Sequence, residues 1–125
     1  MNKNEQILQI RIGQISVVVV IITLIHSLYI LNVEEKRIKN EPTISRLESA
    51  KQNLINRIII LIVTVIFLLM EVKNFIEFQN GRVTKEDIIK QKARIVIFIL
   101  AFLSVLIDVI LGINNYYNLK KRNMV

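Results

Sequence analysis

The sequence predicts an all-α integral membrane protein with three transmembrane helices, the second and third forming a long antiparallel hairpin that extends beyond the bilayer. Three observations predict this fold class. The chain contains three apolar runs of helical length, and turn signals separate the second run from the third. In addition, 53% of its 125 residues are hydrophobic, more than a soluble domain of this size could bury.

The first apolar run covers residues 12–31, twenty residues without a formal charge. A helix of that length crosses roughly 30 Å of hydrocarbon. The run is longer than the apolar core of a signal peptide, and no small-x-small cleavage motif follows it. We therefore expect an uncleaved span.

The second and third runs carry charges near their ends. The second span is expected at about residues 58–78, where Lys73 can extend its ammonium group to the membrane surface. The third is expected at 95–113 and contains Asp108. Tyrosines and then basic residues follow it, an order that is typical of a membrane exit.

Local signals divide the chain into helices within one membrane domain, residues 1–125. Ser45 begins a capping box, and Thr84 is a predicted N-cap for the third helix. Between them Asn80 and Gly81 predict a helix stop, which places the hairpin tip at about 79–84. A loop at about 34–44, broken by Pro42, is expected to connect the first helix to the hairpin.

The fold-back pairs the charges of the second and third spans. Antiparallel partners have residue numbers that sum to about 165, so Arg57 faces Asp108 and Glu71 faces Arg94. Charges in hydrocarbon are costly and are usually paired with one another. These pairs are either ion pairs that only hold the two helices together or, for Arg57 and Asp108, part of an ion or proton site.

His26 is a second candidate for proton chemistry, because imidazole exchanges protons near neutral pH. The first and third helices are parallel, and His26 and Asp108 are expected at similar depth. The sequence therefore predicts His26 and Asp108 as a candidate ion or proton site beside Arg57. The alternative is a hydrogen-bonded histidine that only packs.

Small and hydroxyl residues recur every three or four positions along the three helices. Such residues let membrane helices approach closely and form hydrogen bonds to each other. The predicted helix-packing seam consists of Gly13, Ser16, Thr23, Ser27, Thr64, Ala101 and Ser104.

Several function classes are disfavoured by the composition. The chain has no cysteine and one histidine, which argues against disulfides, thiolate chemistry and His-pair metal sites. Gly-rich phosphate loops, nucleophile elbows and zinc-protease motifs do not occur. The net charge is +7, and the basic residues that give it lie beside the apolar runs. Lipid phosphates are therefore a more fitting partner than nucleic acid. We expect no enzyme activity, cofactor or metal.

The expected function is a non-enzymatic, homo-oligomeric membrane assembly, either a pore or a membrane-perturbing effector. The alternative is an accessory or immunity-type subunit that binds a larger membrane protein. The bias toward isoleucine, asparagine and lysine favours a bacterial or phage genome, and hence a bacterial inner or plasma membrane. Nine basic residues lie on the side of the C-terminus and eight on the other, which favours a cytoplasmic C-terminus.

Overall fold

A computed structural model describes residues 2–79 and 84–124, and within these ranges the chain forms three long α-helices. They are α1 (Lys3–Ile38), α2 (Arg46–Gln79) and α3 (Lys85–Met124). The most apolar windows of α1, α2 and α3 have mean hydropathies of 2.2, 2.4 and 2.9, so each helix is long and apolar enough to cross a membrane. The all-α, three-span prediction is therefore confirmed.

Side-chain caps begin all three helices. The Asn2 carboxamide oxygen accepts a hydrogen bond from the Glu5 amide at 2.8 Å. The Ser45 hydroxyl accepts one from Glu48 N at 3.1 Å, and the Thr84 hydroxyl accepts one from Asp87 N at 3.2 Å. Each cap satisfies a backbone donor that the first helical turn leaves without a partner.

The first connection is shorter than expected. α1 continues to Ile38, so the helix includes the first residues of the 34–44 segment that was expected as a loop. Ion pairs along this last turn, Glu34 with Arg37 and Glu35 with Lys39, favour the helical conformation. The helix ends where Asn40 adopts a positive φ of 59°, just before Pro42.

The hairpin tip lies almost entirely outside the described residues. The predicted helix stop at Asn80 and Gly81 falls within residues 80–83, which are outside the described residues. On either side of it, α2 has 34 residues and α3 has 40. At about 1.5 Å per residue both exceed the roughly 30 Å of a bilayer's hydrocarbon core, so the hairpin extends beyond it.

α2 lies between the other two helices. It packs against α3 and against α1, whereas α1 and α3 do not pack on each other within the described ranges. Both contacts are antiparallel. Between α1 and α2, Gln9 meets Asn74 and His26 meets Gln52. Between α2 and α3, the ion pairs Arg57–Asp108 and Glu71–Arg94 run in opposite chain order in the same way. The three helices thus form an open layer with α2 in the middle.

The interior of this layer is unusually polar. Its buried apolar residues include Ile30, Val33, Val63 and Val109, while most large apolar side chains face outward. Ser16, Thr23, Asn56 and Glu71 are buried beside them. That distribution is expected of helices surrounded by hydrocarbon, where polar groups turn toward neighbouring helices.

Gly112 and Gly13 form a matched pair for testing the packing. A Cβ at Gly112 would lie 3.0 Å from Nη1 of Arg57 and 3.3 Å from Leu54 Cδ1, whereas a Cβ at Gly13 would meet nothing within 4 Å. We expect Gly112→Ala to be less stable than Gly13→Ala by about 1 kcal/mol, since overpacking offsets the gain in helix propensity. Unfolding in mixed micelles measures the difference, and equal stabilities would contradict the close approach of α2 and α3.

Candidate functional site

Glu71 is the buried centre of the first charge pair. Its side chain is only 12% exposed, and Oε1 accepts a hydrogen bond from Arg94 Nη2 at 3.1 Å. Gln91 Nε2 donates to the other carboxylate oxygen at 3.2 Å. Both oxygens of this carboxylate thus have donors on α3, which offset the cost of burying its charge.

Arg57 and Asp108 form the second pair. Nε of Arg57 lies 3.4 Å from Oδ2 of Asp108, and Nη1 donates to the Asp108 backbone carbonyl at 3.1 Å. Gly112 leaves room for the guanidinium on the surface of α3. The Asp108 side chain is 53% exposed, so its carboxylate lies at the edge of the α2–α3 contact rather than inside it.

His26 does not lie beside Asp108, contrary to the predicted cluster. Its Nε2 is instead 3.3 Å from Oε1 of Gln52 on α2. Gln52 in turn donates its amide group to Glu48 at 3.3 Å, which directs its oxygen toward the histidine. The expectation rested on depth alone, and equal depth does not make α1 a neighbour of α3 when α2 lies between them.

One nitrogen of His26 has no hydrogen-bond partner in the described part of the chain. Because the Gln52 oxygen only accepts, the hydrogen bond to it requires the proton on Nε2 of His26. Nδ1 is buried and without a partner among the residues that the structure describes. His26 also lies against Tyr29, with 5.9 Å between the ring centroids.

Side-chain amides connect α1 to α2, and these contacts were not predicted from the sequence. Asn56 is 5% exposed, and its Nδ2 donates to the Thr23 carbonyl at 3.1 Å and to the Ser27 hydroxyl at 3.0 Å. Near the other end of the contact, Gln9 donates to Asn74 at 3.0 Å. The sequence signal that could have predicted this contact is a set of side-chain amides on one face of the second helix, away from its charged residues.

The predicted seam is partly present on α1. Ser16 and Thr23 are buried, and Ser27 receives the hydrogen bond from Asn56. Gly13, in contrast, does not lie at a close helix contact, because a Cβ there would meet nothing within 4 Å. On α2, Thr64 donates its hydroxyl to the Ile60 carbonyl of its own helix at 2.8 Å.

On α3 the predicted seam is rotated away from α2. Ala101 and Ser104 are exposed, whereas positions one residue further on, including Phe98, Phe102, Val105 and Val109, are half-buried or buried. Phe98 stacks on Phe67 at 6.2 Å between centroids. The prediction placed the charges at the centre of the contact. Long side chains such as those of Arg57 and Arg94 instead reach across from its edge.

The rotation leaves a row of residues uncovered on α3, three of them small or polar. Ile97, Ala101, Ser104 and Asp108 follow one another at steps of four, three and four and are all exposed. We refer to these four residues as the outer stripe. Their spacing is that of a helix–helix contact in a left-handed bundle.

No protein-family model matches the chain, and comparisons with curated proteins and with solved structures find no significant match.

We expect Asn56→Leu to destabilise the contact between α1 and α2. It removes two hydrogen bonds between helices, each contributing about 0.6 kcal/mol on average in membrane proteins, so the predicted loss is about 1 kcal/mol. Unfolding in mixed micelles measures it. The matched control is Asn118→Leu at an exposed position of α3, where we expect little change. Equal effects of the two substitutions would contradict the assigned role of Asn56.

Proposed function

We propose that this protein is a non-enzymatic subunit of a homo-oligomeric membrane assembly, in which the outer stripes of neighbouring copies face one another. The observation that carries the proposal is the exposed carboxylate of Asp108 at the end of this stripe. The role requires no catalytic step. It depends on α3 having one face for α2 and a second face for another copy.

The cost of exposing polar groups to lipid supports a covering helix. Asp108 and Ser104 lie within the third apolar span and face away from α2. An ionised carboxylate in contact with hydrocarbon is costly, and such groups usually face another helix or water. Ala101 and Ser104 have small side chains, which allow a second helix to approach closely.

Charge balance favours a second copy as the covering partner. Each Asp108 brings its own Arg57 at 3.4 Å, so facing stripes would enclose equal numbers of both signs.

Cysteine cross-linking in membranes tests the stripe, because the natural chain has no cysteine. We expect Ala101→Cys and Ser104→Cys to form disulfide-linked dimers under mild oxidation. Ile99→Cys and Leu103→Cys are matched controls, since both positions are exposed on the opposite side of the same helix turns. They should give several-fold less dimer.

Three results would overturn the proposal. Equal cross-linking at all four positions would indicate random collision, and none at Ala101 and Ser104 would leave the stripe facing lipid. Cross-linking of Ser104→Cys to a protein of different mass would favour an accessory subunit of a larger complex instead.

A pore is the second candidate, and the exposed Asp108 favours it. If three or more copies surround an axis, their outer stripes converge and rings of Asp108 and Ser104 line the central space. Rings of carboxylates favour cations. We expect cation flux into liposomes that contain the protein, reduced at least severalfold by Asp108→Asn. Arg57 can still donate to the backbone carbonyl of residue 108 in that variant, which favours an intact fold. Unchanged flux would exclude Asp108 from the path.

A further inference from the structure

All three helices line one cleft of about 480 Å³ at the end of the layer opposite to the hairpin tip. It lies between the end of α1, the beginning of α2 and the end of α3. Each helix contributes one arginine to its lining, namely Arg37, Arg46 and Arg122. Glu34 is the one acidic residue among the described residues that line it, and these residues together carry an excess of two positive charges.

The three arginines differ in how they are held. Arg37 forms an ion pair with Glu34, and its Nη2 donates to the Ile44 carbonyl at 3.1 Å. These contacts fix it as part of the wall. Arg46 and Arg122 have no acidic partner within the described ranges, and both are exposed. Their guanidinium groups retain their donors for a ligand.

The cleft also has an apolar side. Ile30 and Leu31 are the last residues of the first apolar run, and Leu119 contributes from α3. The arginines follow these residues outward from the apolar region. The cleft therefore extends from the edge of the hydrocarbon into the zone of lipid headgroups, and one ligand could contact both of its sides.

We propose that this cleft binds an anionic phospholipid, with the phosphate group held by Arg46 and Arg122 and the upper acyl chains against Leu31 and Leu119. Guanidinium groups bind phosphate oxygens through paired hydrogen bonds, and basic pockets at the ends of membrane helices suit anionic headgroups. The volume fits a headgroup rather than a whole lipid, whose chains would remain in the bilayer.

A phosphate group could also come from a soluble compound, and the apolar wall decides between the two sources. Inorganic phosphate has no group that Ile30, Leu31 or Leu119 could contact favourably. A phospholipid places its acyl chains there by virtue of its position in the membrane. The shared chemistry is the phosphate, and the apolar contact belongs to the lipid alone.

Native mass spectrometry of the detergent-solubilised protein, titrated with phosphatidylglycerol, tests the site. Phosphatidylcholine with the same acyl chains and inorganic phosphate form the comparison arms. We expect tight adducts with phosphatidylglycerol, weaker ones with phosphatidylcholine and none with inorganic phosphate. In Arg46→Gln/Arg122→Gln the apparent Kd should rise about fivefold for each arginine removed, the factor that corresponds to one basic residue near an anionic surface.

The control variant is Lys51→Gln/Lys121→Gln, which removes the same charge at the same end of the layer from residues that do not line the cleft. It should bind phosphatidylglycerol like the wild type. Equal losses in both double variants would reduce the effect to general surface charge and overturn the proposal, as would no loss in the arginine variant. Binding of inorganic phosphate with similar affinity would overturn the lipid assignment in favour of a soluble phosphate compound.

Discussion

Polar contacts hold these three helices together, because apolar side chains surrounded by lipid gain little from exchanging lipid for another apolar helix. α2 supplies polar groups toward both of its neighbours. Asn56 binds α1 by donating to the Thr23 carbonyl and the Ser27 hydroxyl. Glu71 and Arg57 fasten α3 through two ion pairs fourteen residues apart, roughly 21 Å along the helix. The central position of α2 follows from this arrangement of its side chains.

The same constraint explains why α3 is proposed to have a second partner. Every polar group in the apolar region needs either a neighbouring helix or water, and α2 satisfies the groups that face it. The outer stripe faces away from α2, and Asp108 meets the guanidinium of Arg57 only at the edge of the α2–α3 contact. In the proposed oligomer, polar contacts of the same kind would cover the outer stripe. The arginine-lined cleft is the proposed contact of the helices with the zone of lipid headgroups.

Patterns that depend on position along the chain were predictable from the sequence. The spans follow from the apolar runs, and the caps at Ser45 and Thr84 follow from local side-chain chemistry. The two ion pairs between α2 and α3 follow from the register in which the hairpin folds back. Rotation about a helix axis was harder, because a long arginine reaches its partner from the edge of a contact as well as from its centre. Ala101 and Ser104 were therefore assigned to the wrong face. The neighbour of α1 also escaped prediction, since depth places His26 level with Asp108 and says nothing about which helix lies beside it.

The mass of the solubilised complex shows whether the protein is an oligomer, as a second copy on the outer stripe requires. Light scattering or native mass spectrometry on protein extracted in native lipid discs measures it without a variant or a label. We expect one species at a multiple of the 14.6 kDa chain mass, dimer or larger. A single species at 14.6 kDa across the accessible concentration range would contradict it and leave Asp108 exposed on a monomer.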